Sequence, residues 1–183
     1  MPLTPRRGLF LIASPALRDP NFVRTVVLLI DHNSNGSLGL IVNRRTDLSI
    51  DDVFGSDLEI DRKIHFGGPV ESNRLFVLHR HSDPPPDSHE VCTGVHFGGD
   101  LDSISAEARS RSDPDAFRGY LGCAGWGEGQ LEQELSHDSW ILLPATADRV
   151  FDPDPEGLWS HLLSEMGGDY LLYSMMPPDP DLN

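Results

Sequence analysis

The sequence has few basic residues and few cysteines, and each scarcity argues against a class of function. Its 183 residues include 14 Lys and Arg against 29 Asp and Glu, for a formal net charge of −15. Because such a chain repels phosphate backbones and anionic lipid surfaces, we expect no direct binding to nucleic acid or to a membrane. The two cysteines, Cys92 and Cys123, are too few for a disulfide framework. We therefore expect a reduced, cytoplasmic protein.

Long apolar runs are also missing. The run over residues 8–13 ends at Ser14 and Pro15, too early for a signal peptide, and no other run is long enough for a transmembrane helix. The length and the hydrophobic content of 38% suit one packed domain, which we predict over residues 1–176. Residues 177–183, PPDPDLN, are predicted to form a disordered, acidic, proline-rich tail.

The clearest local prediction is a β-hairpin. Residues 25–30, TVVLLI, are apolar on both alternating faces, which is typical of a covered central strand, and residues 38–42 supply its partner. Asn35-Gly36 between them is a turn signal. Residues 31–36, DHNSNG, resemble the first half of a calcium-binding EF-hand loop. The twelfth position is Val42 instead of the required glutamate, so we predict no calcium site.

The remaining elements mix strands and helices without regular alternation. Further strands are predicted over residues 8–13, 63–66, 74–78, 91–97, 120–124 and 140–143. Helices are predicted over residues 48–54, 100–109, 129–135, 155–166 and 169–176. This arrangement predicts a single α+β domain with a mixed, largely antiparallel sheet and peripheral helices.

Four glycines between residues 122 and 129 punctuate the passage from a strand into a helix. Such density indicates a backbone that turns sharply or runs close to another segment. The spacing is not that of a phosphate-binding loop, and the lysine and hydroxyl of a P-loop are missing. Glu128 and Glu132 near the helix start would repel an anion. We interpret the stretch as a structural turn that binds neither ATP nor phosphate.

The side chains able to bind a metal or act as a nucleophile are histidines, a serine and two cysteines. His79 and His81 share one face of a strand, and His89 lies across a proline-rich loop, yet no recognised ligand pattern includes them, so we predict no metal and no cofactor. The candidate nucleophiles are Ser14, Cys92 and Cys123. None lies in a known catalytic motif, and Cys123 is typical of a small core residue. A triad assembled in space stays open, because triads do not follow sequence order.

Four sequence blocks together resemble the uncharacterised bacterial AlgH/YqgE family. They are S-P-A-L-R-D-P-N-F-V-R-T-V-V-L-L-I-D-H over residues 14–32, G-L-I-V-N-R over 39–44, H-F-G-G-P-V over 65–70 and A-G-W-G-E-G-Q-L-E-x-E-L over 124–135. The blocks follow the family's order and span nearly the whole chain. The resemblance implies a compact, barrel-like α+β fold. The family's name evokes transcriptional control, which the charge of this chain would make indirect.

Polar residues within these blocks form the candidate ligand or partner site. They are Asp19, Arg24, Asn43, His65, Trp126, Gln130 and Glu132. The alternative is a structural network in which buried polar groups satisfy one another. Because Arg24 precedes one hairpin strand and Asn43 ends the other, we expect both at the same end of the hairpin. Arg24 is predicted to pair with Asp19 or Glu132.

The sequence is compatible with two kinds of function. The first is a non-enzymatic binding or regulatory module whose partner is an unknown protein or small molecule. The second is an enzyme of unrecognised type, such as a hydrolase, that uses Asp19, His65 or Glu132. A cleft with a strongly shifted carboxylate or histidine would favour the enzyme, and an exposed apolar patch would favour the binding module.

Overall fold

A curled β-sheet forms the frame of the protein. The computed structural model describes residues 3–54, 62–99, 103, 106 and 117–177. The strands are β1 (Leu9–Ala13), β2 (Val26–Asn33), β3 (Gly36–Ile41), β4 (Arg45–Ser49), β5 (Lys63–Phe66), β6 (Val70–His79), β7 (Ser88–Cys92), β8 (Val95–Gly98), β9 (Phe117–Gly127) and β10 (Trp140–Pro144). The helices are α1 (Ile50–Phe54), α2 (Gln130–Ser136), α3 (Ala147–Val150), α4 (Leu158–Met166) and α5 (Gly168–Met175), with a 3-10 turn at Pro155–Gly157.

The strand order confirms the predicted α+β class. Eight strands follow the path β10-β1-β2-β3-β9-β6-β8-β7, and β5 joins β4 to β9. The β5–β9 pair is parallel and the other pairs are antiparallel, so the sheet is mixed and largely antiparallel. The long β9 strand pairs with β3, β5 and β6, and it therefore connects the two ends of the sheet.

The β2–β3 hairpin forms as predicted. Asn33 faces Gly36 across the turn, and the first five residues of β2 are buried. All five residues of β1 are buried as well, because β1 lies between β2 and β10. The uniform apolar composition of these two strands thus reflects their position at the centre of the core.

Several predicted boundaries were wrong. The strand predicted over residues 91–97 is two strands, β7 and β8, which meet at a turn where Gly94 has a φ of 75°. Strand β4 was not predicted, and α1 follows it at Ile50 instead of starting at residue 48. Ser49 and Asp52 cap the start of α1 reciprocally: Ser49 Oγ accepts a bond of 3.1 Å from the Asp52 amide, and Asp52 Oδ2 accepts one of 2.7 Å from the Ser49 amide. The helix predicted over residues 100–109 lies outside the described residues except at 103 and 106, and so does the tail from residue 178 onward.

The glycine-rich part of β9 runs against a second pair of glycines. A Cβ atom built on Gly68 would lie 2.2 Å from the backbone carbon of Cys123, and one on Gly122 would lie 2.3 Å from the Gly68 oxygen. Both glycines also have positive φ, 149° and 72°. The predicted close approach of two backbone segments is therefore confirmed, and it explains why no side chain fits there.

We predict that Gly68→Ala destabilises the protein by about 3–5 kcal/mol, because the new methyl group meets backbone that cannot move away. Gly129 is the matched control. Its φ is also positive, at 71°, but nothing lies within 4 Å of a Cβ placed there. Gly129→Ala should therefore cost about 1–2 kcal/mol, for backbone strain alone. Urea unfolding of both variants measures the difference, and equal costs would contradict the close approach.

Candidate functional site

Asn43 holds the end of the β2–β3 hairpin together. Its side chain is 5% exposed. Its Oδ1 accepts a hydrogen bond of 2.8 Å from the Val26 amide, and its Nδ2 donates one of 3.0 Å to the Arg24 carbonyl. Arg24 and Asn43 do lie at the same end of the hairpin, as predicted. The link runs through the Arg24 backbone, which leaves the guanidinium available for other contacts.

Arg44 fixes the loop that precedes β2. Its guanidinium donates to the carbonyl oxygens of Asn21 at 2.8 Å, Val23 at 3.1 Å and Pro20 at 3.3 Å. Asp19 closes the start of the same loop, because its Oδ1 accepts a bond of 2.8 Å from the Asn21 amide. Asp19 therefore shapes a turn, and its charge lies near Arg44. Arg44 was not among the predicted site residues, although it lies in a matching sequence block.

This loop delivers Arg24 in an unusual backbone conformation. Its φ is 56°, in the left-handed region that non-glycine residues seldom adopt. The guanidinium carbon lies 4.5 Å from the ring centroid of Trp159, which is a cation–π contact. The Nη2 atom donates a hydrogen bond of 2.7 Å to the Met176 carbonyl. The Trp159 indole is itself held by a bond of 2.8 Å to the Ala13 carbonyl. Strained backbone of this kind is found disproportionately at functional sites.

Two hollows flank the Arg24–Trp159 pair. The first has a volume of about 200 Å³. Its other walls include Ser14, Pro15, Leu17, Arg18, Tyr173 and Pro177. The second, of about 330 Å³, extends toward Glu156 and Ser160. Within its described walls the first hollow contains two arginines and no acidic residue. In a protein of charge −15 this is a local concentration of positive charge.

The predicted ion pair of Arg24 with Asp19 or Glu132 was wrong. Over the described ranges, the Arg24 guanidinium contacts Trp159 and Met176 and forms no ion pair with a carboxylate. The left-handed backbone directs its side chain toward α4 instead. Partial burial lowers the pKa of Arg24, but an arginine keeps its charge at neutral pH.

Two other predicted site residues, Trp126 and Gln130, belong to a separate network around Glu134. Glu134 Oε2 accepts hydrogen bonds from the indole nitrogens of Trp126, at 2.9 Å, and Trp140, at 2.7 Å. Its Oε1 accepts from Gln130 at 3.0 Å, and Gln130 in turn accepts from the Gly127 amide at 3.0 Å. Trp126 and Gln130 therefore hydrogen-bond within this network, which is the kind of arrangement that the alternative interpretation describes. Glu134 and Trp140 were missed, although the i,i+4 spacing of Gln130 and Glu134 on a helix was a usable signal.

Glu132, a further predicted site residue, lies on the same helix but is not part of this network. Its carboxylate is 51% exposed and lies 3.5 Å from His32 Nε2. His32 Nδ1 is 2.8 Å from the Ser37 hydroxyl, across the β2–β3 pair. This Ser–His–Glu chain has the order of a hydrolase triad, but its ring nitrogens are exchanged, since a triad histidine faces its serine through Nε2 and its acid through Nδ1. In addition, the nearby Gly127 amide is already bonded to Gln130, so it is not free to serve as an oxyanion donor.

We predict that Glu134→Ala destabilises the protein by about 2–4 kcal/mol, because it leaves two largely buried indole N–H groups without their acceptor. Glu132→Ala is the matched control on the same helix. Its exposed ion pair with His32 should contribute less than about 1 kcal/mol. Thermal or urea unfolding measures both variants. A larger loss for Glu132→Ala would contradict the structural assignment of Glu134.

His65 lies in a third, buried position. It is 5% exposed, and its ring centroid is 5.3 Å from that of Tyr120. Within the described residues neither ring nitrogen forms a hydrogen bond of good geometry, and the Gly119 backbone is its polar neighbour. Burial, followed by the charges of Arg118 and Arg45, lowers the pKa of His65 to about 4. Burial also raises the pKa of Tyr120 to about 12. His65 is therefore neutral at pH 7 and lies against the core.

Three more histidines pack together at the β6–β8 edge. His79 is fully buried, and its ring centroid lies 4.8 Å from His81 and 5.3 Å from His96. Burial and these two neighbours lower the pKa of His79 to about 4. His89 packs on Phe97 instead of joining them. Within the described ranges, no three histidine, cysteine or acidic side chains are grouped so that they could hold a metal ion.

These buried rings predict a loss of stability in mild acid. The folded-state pKa of His65 and of His79 is about 4, below the 6.5 of an unperturbed histidine. As the pH falls, the unfolded chain therefore takes up protons first. The stability from neutral rings is complete above about pH 6.5 and declines until about pH 4, by about 2–3 kcal/mol per ring. Urea unfolding between about pH 7.5 and pH 4.5 measures this slope.

His65→Gln should remove about half of the decline that these two rings cause, because glutamine does not titrate in this range. His161→Gln is the control, since His161 is exposed and outside the core. An unchanged slope in His65→Gln would contradict the role of this ring.

The two cysteines offer no reactive thiol. Both are free. Burial, with the charge of Glu90, raises the pKa of Cys92 to about 11, and burial also raises that of Cys123. Cys123 is 2% exposed and packs in the core, which confirms its predicted structural position. A thiol with a raised pKa is a poor nucleophile at neutral pH.

The sequence matches known proteins along nearly its full length. A family model described as AlgH-like matches residues 10–171. The chain belongs to the AlgH-like family. A UPF0301 protein of Chlamydia felis is 39% identical over 180 residues, which cover 97% of this chain and 95% of the relative. A UPF0301 protein of Cytophaga hutchinsonii is 37% identical over 179 residues, covering 97% and 98% of the two chains.

Solved structures agree with the fold of this AlgH-like chain. The solution structure of the AlgH protein from Pseudomonas aeruginosa superposes with a TM-score of 0.72 at 32% identity and covers 98% of this chain and 99% of that one. A crystal structure from Corynebacterium diphtheriae gives a TM-score of 0.81 at 21% identity, with 96% and 95% coverage, and supports the fold alone. No helix in the described part of this AlgH-like chain is long and apolar enough to span a membrane.

Proposed function

We propose that this AlgH-like protein is a non-enzymatic binding module that captures an oxygen-bearing, carbonyl or carboxylate ligand at Arg24. The observation that carries the proposal is the strained Arg24, whose guanidinium stacks on Trp159 and already holds one carbonyl, that of Met176. A guanidinium presents several N–H donors in a fixed plane, which suits paired recognition of oxygen atoms.

The surroundings of Arg24 support ligand capture. The Trp159 ring and Leu17 offer apolar surface beside the guanidinium, and Arg18 adds a second cationic side chain to the same wall. Pockets of this kind, mostly apolar with a few fixed polar groups, are typical of small-ligand sites. Asn43 and Arg44 keep the loop in place, so Arg24 is preorganised before a ligand arrives.

The enzyme alternative has weaker support. Asp19 closes a turn, His65 is buried against Tyr120, and Glu132 pairs with His32. The contacts of these three residues therefore do not bring them together in one cleft. The Ser37–His32–Glu132 chain is the best catalytic arrangement, but half of Glu132 is in solvent, where its charge is screened. We further propose a cytoplasmic protein without direct nucleic-acid binding, on the grounds of its −15 charge.

The test uses the three tryptophan indole N–H signals as internal reporters. We expect N-acetylmethionine, a small carboxylate with an apolar side chain, to shift the Trp159 signal in a saturable way, with a Kd on the order of 1 mM. The Trp126 and Trp140 signals should stay constant, because both indoles are bonded to Glu134 in a different network. NMR titration measures all three in one sample.

Arg24→Gln should abolish the shift while lowering stability by less than about 1 kcal/mol, since its contacts are solvent-exposed. Arg7→Gln is the matched control, because Arg7 forms an exposed ion pair with Asp31 away from this pocket. A Trp159 shift that persists in Arg24→Gln would overturn the assignment of the site to Arg24.

A further inference from the structure

The C-terminal segment has the structure of a removable cover. Gly167 and Gly168 both have positive φ, 69° and 57°, and nothing lies within 4 Å of a Cβ placed on either. Helix α5 follows directly and packs on α4, yet none of its residues is buried. Leu172 is 65% exposed and Met175 75% exposed. The folded core therefore does not depend on the apolar side chains of α5.

The last turn of α5 and the residues after it cross the Arg24 site. Met176 lines both hollows, and its carbonyl accepts the hydrogen bond from Arg24 that lies between them. Tyr173 and Pro177 add to the wall of the first hollow, and Ser174 adds to the wall of the second. Without this segment, the two hollows would join into one groove that passes over Arg24 and Trp159.

The backbone of the crossing segment indicates what the groove accepts. Met176 has φ −71° and ψ 136°, the dihedral angles of polyproline II, and Pro177 follows it. Polyproline II segments expose their carbonyl groups and bind in grooves lined by aromatic side chains. Here Trp159 supplies aromatic surface, and Arg24 supplies the donor for an exposed carbonyl.

We infer that this groove binds an extended, proline-containing peptide segment of a partner protein, and that residues 173–177 of this chain are its resting occupant. The inference rests on the proposed function and names its ligand class. Charge favours a peptide with acidic residues at the first hollow, whose described walls include Arg18 and Arg24 and no acidic side chain, whereas Glu156 lines the second hollow. The chain's own sequence from residue 176, MPPDPDLN, has this composition. A tethered occupant has a high effective concentration, so a peptide in solution binds weakly until the tether is loosened.

The experiment uses the full chain and a synthetic peptide of residues 172–183. Tyr173→Ser combined with Met176→Ser loosens the occupant, and both side chains are exposed, at 43% and 57%, so the fold is retained. We expect the peptide to bind this double variant with a Kd at least about tenfold lower than for the unmodified chain. Adding Arg24→Gln should abolish binding, and adding Arg7→Gln should not. The Trp159 indole signal reports occupancy.

The possible outcomes separate the two proposals. Equal affinity of the peptide for both chains would overturn the role of residues 173–177 as occupant. Equal binding of a peptide with alanine in place of its prolines would overturn the polyproline ligand class. If N-acetylmethionine shifts the Trp159 signal of the double variant and the peptide does not, the proposed function stands and the peptide inference fails. If neither shifts it, both fail.

Discussion

The buried amide of Asn43 is the interaction on which the candidate site depends. It satisfies the Val26 amide and the Arg24 carbonyl at the point where the chain enters the central strand. Buried backbone groups of this kind need a hydrogen-bond partner. The neighbouring strand does not supply one here, because the left-handed conformation of Arg24 interrupts the regular strand pairing. The same side chain therefore completes the sheet and stabilises the conformation that directs Arg24 toward Trp159. One residue thus joins the stability of the hairpin to the geometry of the proposed ligand pocket.

Much of the fold could be predicted from the sequence, because its strongest signals are local. The apolar β1 and β2 strands and the tight turn before Gly36 follow from side-chain pattern and turn chemistry. Strand β4 gave no such signal, since three of its five residues are exposed and it forms through pairing with β5. The split between β7 and β8 depends on the backbone conformation of Gly94, which composition does not reveal.

The candidate site was harder to predict, because its contacts join distant parts of the chain. The Arg24 guanidinium meets a carbonyl 152 residues away. Sequence reasoning placed Arg24 and Asn43 at one end of the hairpin, but charge alone suggested a carboxylate partner for Arg24. The left-handed φ of Arg24 decided otherwise, and no composition rule predicts that angle for an arginine. Trp159 was predicted only as part of the helix over residues 155–166, and a helix prediction does not identify the arginine that stacks on it.

Two of the sequence blocks that resemble the AlgH/YqgE family have different roles in the structure. The block over residues 124–135 is explained by packing, since Trp126 and Gln130 both donate hydrogen bonds to the Glu134 carboxylate, which also accepts one from Trp140. The block over residues 39–44 instead supports the loop that ends at Arg24, because Asn43 and Arg44 both bond to the backbone of that loop. Arg24 itself is half-buried and has a strained backbone. Its guanidinium lies in the wall of a hollow, so the strain of its backbone favours recognition over structure as the reason for that residue.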